Sequence, residues 1–389
     1  MIRVLHIDAG KVYGGVETLL LTFARSRHVC AEMEPQFGVC FEGRLSTELR
    51  QAGVPVHFLG EVRARNPLSV LRARRSLARL LARESIDVVL CHMPWVQAIF
   101  GPVARKFNVA LIFWLHSASD GKHWVERWAR RTPPDIAVAP SRFTAATVSN
   151  IYADVPVEVV HHAIPAPTGI SQDDRLAVRL ACDTAQDAVV IVQAGRLAPF
   201  KGYEDHVRAL ARLRDDPSWV SWIVGGPQRA GEDEFLAGLT AMASELGISS
   251  RVKFLGQRSD VARVLAAADI YCQPNTGTEG LPVIFGEAMH AGLPVVSSAI
   301  GGFEELIDST CGILVQPANP DALSGALRHL IRDQQARKSM GSSGRKKIVE
   351  FSDPGSQLTK LYELASAARA RAGYVRSTPP KRASASIRP

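Results

Sequence analysis

Two stretches hold most of the residues whose types suit work on a phosphorylated, hydroxyl-rich ligand. In IVQAGRLAPFKGYEDHVRAL (Ile191 to Leu210) an apolar run ends at Gly195-Arg196, and Lys201 follows five residues later, where a helix is expected to start at Lys201 or Gly202. A planar guanidinium fork and a mobile ammonium at one strand end make a two-cation clamp for a diphosphate. The second stretch, TEGLPVIFGEAMHAGLPVVSS (Thr278 to Ser298), sets Glu279 and Glu287 eight positions apart. Pro282 suits the first position of a helix, which puts Glu279 just outside its N-terminus, near the free N–H groups of Gly280, Leu281 and Val283. Glu287 sits one turn beyond Val283 among Ile284, Phe285, Ala288 and Met289, and a buried acid needs a partner such as ribose hydroxyls or the clamp's bases. Simpler readings stand beside these: solvated surface bases, an acid stabilised by the helix dipole, and a solvated helix face.

Glycines mark further strand ends. Gly14-Gly15 in HIDAGKVYGGVETLL precede a helix, where backbone N–H groups can approach an anion, although a plain tight turn explains them equally well. IVGGPQ with Gly226 and FLGQRSDV with Gly256 offer backbone contacts to the base and ribose of a nucleotide. Neither a dinucleotide G-x-G-x-x-G fingerprint nor a Walker A lysine is present.

These residues must be carried by strands, and the chain alternates short β-type runs with helix-length segments. Strands are expected at IRVLHID, PQFGVCF, PVHFLG, DVVLC, ALIFWLH, DIAVAP and VEVVHH, then at AVVIVQAG, SWIVGG, VKFLG, ADIYCQP, LPVVSS and GILVQP. Continuous apolar runs of this kind belong to parallel strands covered on both faces. The expected architecture is α/β, with two Rossmann-like parallel-sheet domains facing across a cleft. Residues 1–165 form the first domain and 166–370 the second, with the last helices free to return to the first and a disordered basic tail at 371–389. The linker falls at Ala163–Asp174, where Pro, Gly, Ser and Asp cluster. In such sheets ligands bind at the carboxyl ends of the strands, so a shared ligand belongs in the cleft.

The net charge of +8 divides into +6 for residues 1–165, −3 for 166–370 and +5 for the remainder, which suggests an anionic partner for the basic parts. Six scattered cysteines suit a reducing compartment and exclude a disulfide frame or a C-x-x-C zinc site. With no signal-like or membrane-spanning apolar run, a cytoplasmic protein is expected.

Taken together, GGVE after the first strand, GRL…KG, and EG…E-A-M-x-A-G-x-P-V-V resemble the retaining GT-B glycosyltransferases of the family 4 type over roughly residues 1–370. The resemblance implies transfer of a sugar from a nucleotide diphosphate donor (a UDP-, GDP- or ADP-sugar), with retention at the anomeric carbon and no metal or other cofactor. It implies that Arg196 and Lys201 hold the diphosphate, Glu279 faces the sugar hydroxyls with Gly280, Leu281 and Pro282 around it, and Glu287 holds the ribose. Gly14 and Gly15 would line the cleft near the diphosphate and acceptor, and His116, closing IFWLH, matches a position at the donor sugar or reaction centre. The catalytic set is then Glu279, His116, Arg196 and Lys201, with Glu279 not a covalent nucleophile. Two departures touch donor preference: Leu281-Pro282 follow EG where glycine or an aromatic is usual, and Gly286 precedes the second acid where a larger apolar residue is usual.

NPLSVLRARRSLARLLARE adds a helix with Val70, Ala73, Leu77, Leu80 and Leu81 on one face and Arg72, Arg75, Arg79 and Arg83 on the other. A solvated face and docking on anionic lipid are both open; nucleic acid is not expected, because no aromatic interleaving accompanies the charge. The expectation is a glycosyltransferase acting on a lipid-linked saccharide in surface polysaccharide synthesis, cytoplasmic or peripheral on the inner face of the plasma membrane. A nucleotide-sugar epimerase of the same fold and a non-catalytic sugar-nucleotide-binding protein are the alternatives.

Overall fold

All thirteen expected strands form, and every pairing is parallel. The structure is a computed structural model and describes residues 1–377. In the first half β1 (Ile2–Asp8), β2 (Met33–Val39), β3 (Val56–Phe58), β4 (Val88–His92), β5 (Ala110–Trp114), β6 (Ile136–Ala139) and β7 (Val157–Val159) make one sheet in the order β3-β2-β1-β4-β5-β6-β7. In the second, β8 (Val189–Ala194), β9 (Trp219–Val224), β10 (Val252–Gly256), β11 (Ile270–Gln273), β12 (Val295–Ser298) and β13 (Gly312–Val315) run in the order β10-β9-β8-β11-β12-β13. Strand order reverses between β1 and β4 and again between β8 and β11. Those switch points open a crevice at the carboxyl ends of the strands, where an open α/β sheet takes its ligand.

Both faces of the first sheet are covered, as its uninterrupted apolar strands require. One face packs Val4, Leu90 and Ile112 with Leu20 and Phe23 of the helix Gly15–Arg25 and with Leu358, Leu361 and Ala365 of the C-terminal helix Pro354–Ser377. The chain therefore returns to the first sheet after completing the second. Its helix runs past 370, so residues 371–377 of the expected disordered tail are helical, and the rest of that tail lies outside the described residues. On the other face Leu5 and Ile7 meet Val70, Leu77 and Leu80 of the helix Pro67–Arg83. Arg72, Arg75, Arg79 and Arg83 of that helix point outward as expected, with Leu68 and Leu71 also exposed. Arg74 turns inward instead and donates to the carbonyls of Ile99 and Ala98. Among the described residues no helix is long and apolar enough to cross a membrane.

Several glycines fix how closely the halves approach. A Cβ on Gly280 would lie 2.6 Å from the His116 carbonyl oxygen and 2.8 Å from Thr144 Oγ1, so the loop before the Val283–His290 helix rests directly on the first half. Gly286 leaves room for Ile164 of the linker, whose Cδ1 would be 2.4 Å from an added Cβ, which accounts for the absence of a larger residue there. Glu305 fastens the same boundary by accepting from the Arg142 and Phe143 N–H groups at 2.9 and 2.8 Å.

Gly202 follows Lys201 with φ +72°, and a Cβ there would fall 1.7 Å from the Pro274 carbonyl oxygen. Gly202→Ala is expected to destabilise the second half by about 1–3 kcal/mol, through backbone strain and the clash together. Calorimetric melting of the variant against the parent protein measures this.

Candidate functional site

Lys201 and Glu279, distant in sequence, meet at the β8/β11 switch point. Lys201 closes a short 3-10 turn (Pro199–Lys201), and the helix proper starts at Tyr203 after Gly202 rather than at Lys201 or Gly202. Its Nζ donates to both carboxylate oxygens of Glu279 at 2.9 and 3.0 Å. The Lys201 backbone carbonyl accepts from Gln193 on β8, and Gln193 in turn meets His206 Nδ1. Asn275 Nδ2 donates to Glu279 Oε2 at 2.9 Å, so the carboxylate is oriented from the end of β11 as well as from β8. Gln273 supports Asn275 at 2.8 Å and is braced by Tyr271 at 2.7 Å. Glu279 thus faces the lysine rather than the N–H groups of the following helix. That helix spans Val283–His290 with Pro282 as its cap, one position earlier than the first-turn place expected.

Arg196, two residues past the end of the same strand, lies 3.9 Å from Glu232. Burial, with the Arg229 guanidinium nearby, lowers its pKa from the ordinary arginine value. Arg196 and Lys201 therefore each face a carboxylate. Glu287 has no hydrogen-bonding partner among the described residues, and burial pushes its carboxyl up to about 7. Gly226 and Gly256 sit at the ends of β9 and β10, where the Gly256 carbonyl accepts from Gly225 at 2.9 Å.

From the other side Gly14-Gly15 open the helix Gly15–Arg25, and a Cβ on Gly15 would lie 3.6 Å from Val283 at the start of the facing helix. The two helix N-termini therefore converge. His116 backs onto Gly280 through its carbonyl, and its Nε2 meets His92 Nδ1 at 2.8 Å. The sequence reading took only glycines from GGVE. Glu17, in the same motif, accepts from the Gly14 N–H at 2.9 Å. Burial raises the Glu17 and Asp8 carboxyls, and at Glu17 the charge of Asp8 adds to the rise. Asp8, Glu17, Arg229, Glu232, Gln273 and Asn275 were not anticipated. Asp8, Gln273 and Asn275 carried one sequence signal, polar residues at or just past the ends of otherwise apolar strands; Glu17, Arg229 and Glu232, on or before helix N-termini, carried none.

The expected residues divide plainly by place. Arg196, Lys201, Glu279 to Pro282, Gly226 and Gly256 lie at or just after the second half's strand ends and Glu287 within the helix Val283–His290; His116 follows a strand of the first half, and Gly14 and Gly15 open its first helix. The arginine face of Pro67–Arg83 lies on a helix outside the cleft. A large, mostly apolar hollow of about 1020 Å³ lies elsewhere, lined by Pro133, Tyr152, Pro156 and Arg371 among others, and holds none of these groups. Among the described residues no group of three or more His, Cys, Asp or Glu is arranged to hold a metal ion.

Residues 13–166 match the family described as Glycosyltransferase Family 4, and residues 182–347 match Glycosyl transferases group 1. The chain belongs to the family 4 glycosyltransferases. The two parallel sheets of this glycosyltransferase are those of the GT-B fold. Similar proteins include a D-inositol 3-phosphate glycosyltransferase of Nocardioides sp., 28% identical across 80% of this chain and 75% of that one. A GDP-mannose-dependent alpha-(1-6)-phosphatidylinositol monomannoside mannosyltransferase of Mycolicibacterium smegmatis is also 28% identical, across 78% and 84%. The crystal structure of Anabaena Alr3699/HepE with UDP and glucose shares the fold at a TM-score of 0.84 and 22% identity, across 94% of this glycosyltransferase and all of that chain.

Glu287 gives the glycosyltransferase a defined pH dependence of stability. Its folded value of about 7 exceeds the ordinary 4.5, so between those values the folded state holds a proton that the unfolded chain has lost. Stability from this group therefore falls as pH rises from 4.5 through 7, by on the order of 1–3 kcal/mol. Glu287→Gln is expected to flatten that fall, read as a smaller difference in melting temperature between pH 5 and pH 8.

Proposed function

We propose that the chain is a retaining, metal-independent glycosyltransferase that moves a sugar from a nucleoside diphosphate to a hydroxyl of a lipid-linked saccharide. The contact of Lys201 with both oxygens of Glu279, beside Arg196 at the same switch point, carries the reading. Lys201 and Arg196 bind the diphosphate and neutralise the charge that grows on it as the sugar–phosphate bond breaks. Fixed cations and helix N-termini placed in advance are the means by which such departure is accelerated. Glu279, steered by Asn275, accepts from the sugar hydroxyls, and Glu287 accepts from the ribose. Gly226 and Gly256 admit the base and ribose against backbone.

The acceptor hydroxyl enters from the Gly14-Gly15 side. Its oxygen forms the new bond on the face the phosphate leaves, and its proton passes to the departing phosphate oxygen. That course gives retention without a covalent enzyme intermediate and leaves Glu279 as a binding group. The two cations meet the electrostatic need that a metal ion meets elsewhere. Among UDP-, GDP- and ADP-sugars, the GDP-mannose dependence of the Mycolicibacterium relative puts GDP-mannose first. The inositol phosphate and phosphatidylinositol mannoside named for the relatives support an acceptor that is phosphorylated or held on lipid. The arginine face of Pro67–Arg83, with Leu68 and Leu71 exposed beside it, suits contact with an anionic membrane at the inner face of the plasma membrane.

Lys201→Ala is expected to lower kcat by at least about a hundredfold, with product formation unaffected by EDTA in the parent protein. NMR of the anomeric proton in the product should show the donor's configuration; an inverted product or wild-type turnover by Lys201→Ala contradicts the reading. The triple change Arg72/Arg75/Arg79→Ser should leave transfer to a soluble acceptor intact and reduce flotation with phosphatidylglycerol-containing vesicles. Unchanged flotation removes the membrane contact.

A further inference from the structure

A row of buried imidazoles crosses the first sheet and ends at the cleft. His6 lies on β1, His92 ends β4, His116 follows β5 by two residues, and His162 follows β7 by three. His6 Nδ1 meets His92 Nε2 at 3.1 Å, and His92 Nδ1 meets His116 Nε2 at 2.8 Å. The three rings are nearly parallel, at 21° and 16° from one to the next. His6 and His92 are fully buried, and His6 Nε2 and His116 Nδ1, the two ends, have no partner.

Proton counting makes the row directional. Three neutral imidazoles carry three N–H groups, and each of the two N···N contacts takes one N–H and one lone pair. All three rings must therefore donate in the same sense. If His6 donates from Nδ1, His116 is left with its proton on Nδ1. If His116 donates from Nε2, the leftover N–H lies on His6 Nε2 and His116 Nδ1 is a bare lone pair. Either way one N–H is unpartnered, and buried N–H groups without acceptors are rarely tolerated.

The ends differ in what can reach them. Phe23 and Phe37 close the His6 end at ring distances of 5.6 and 5.4 Å. Beyond His116 lies the His162 ring, and the His116 backbone carbonyl lies against Gly280 of the loop that carries Glu279. The titratable groups near the row are few: His162, whose ring lies 5.7 Å from His116 and faces the Leu281 backbone, and Asp8, on the strand face of His6 with Oδ2 turned to the Gly10 N–H. With no acid paired to it, the row is neutral, and burial lowers the pKa of every ring in it.

We propose that His6 and His92 are positioning residues that hold His116 neutral with its proton on Nδ1, as a hydrogen-bond donor to an oxygen of the donor sugar. The proposal rests on the reading that His116 lies at that sugar. Donor binding supplies the one acceptor the row lacks and so sets its direction. Nδ1 is covered by surrounding atoms, so it reaches the sugar only as that cover moves.

The test is a long-range proton–nitrogen NMR spectrum of histidine-labelled full-length protein with saturating GDP-mannose or UDP-glucose, whichever raises its melting temperature more. His116 should be a single neutral tautomer protonated at Nδ1. His6→Phe and His92→Phe, which keep a ring in place but break the row, should give a mixed His116 tautomer. They should also lower kcat at least about tenfold with little change in KM. His92→Gln, which still donates and accepts, should recover most of that loss. A wild-type His116 protonated at Nε2, or an unchanged tautomer and kcat in both phenylalanine variants, overturns the proposal, and the wild-type spectrum decides even if the variants fail to fold. His116→Ala separates the two claims: wild-type transfer by that variant rejects His116 at the donor sugar, whereas its loss beside unaffected phenylalanine variants rejects the row alone.

Discussion

The ion pair of Lys201 with Glu279 is the constraint around which the rest of the cleft is arranged. It joins the end of β8 to the loop after β11 across the reversal in strand order, and both partners are largely withdrawn from water. A lysine so placed needs an acid, and an acid so placed needs orientation, which Asn275 and Gln273 supply. The arrangement fixes the ammonium at the strand ends. In the proposed reading a diphosphate would meet charges already positioned.

Backbone geometry holds that pair against the first half. Gly202 turns the chain where a side chain would strike Pro274, and Gly280 lets the Glu279 loop rest on His116 and Thr144. Glu305 ties the boundary by capping the turn at Arg142 and Phe143. The C-terminal helix packs back on the first sheet, so the chain crosses between the halves twice. Relative movement of the halves must work through these few contacts. The cleft is a place where small shifts change which side chains meet.

Much of the fold was legible because buried parallel strands read as unbroken apolar runs. All thirteen runs became strands, and the arginine stripe of Pro67–Arg83 faced outward because Val70, Ala73, Leu77 and Leu80 had to face the sheet. That Arg196, Lys201 and Glu279 lie together at the strand ends of the second sheet was legible in part, since each follows closely on an apolar run that had to be a strand. That Lys201 would pair with Glu279 was not, because the contact depends on β8 and β11 being neighbours, and strand order is not written in local pattern. The histidines were hidden for a related reason: His6, His92 and His116 are scattered in sequence and adjacent only once β1, β4 and β5 lie side by side. Helix at residues 371–377 was missed because composition alone suggested a tail, while packing of Leu358, Leu361 and Ala365 carries the helix onward.

The most direct measurement is a crystal structure of the protein with intact GDP-mannose or UDP-glucose, whichever binds more tightly. The account places the diphosphate oxygens within hydrogen-bonding reach of both Arg196 and Lys201, a sugar hydroxyl on Glu279 and the ribose on Glu287. A donor whose diphosphate lies away from Lys201, with the Lys201–Glu279 pair intact and touching no part of the ligand, would contradict it.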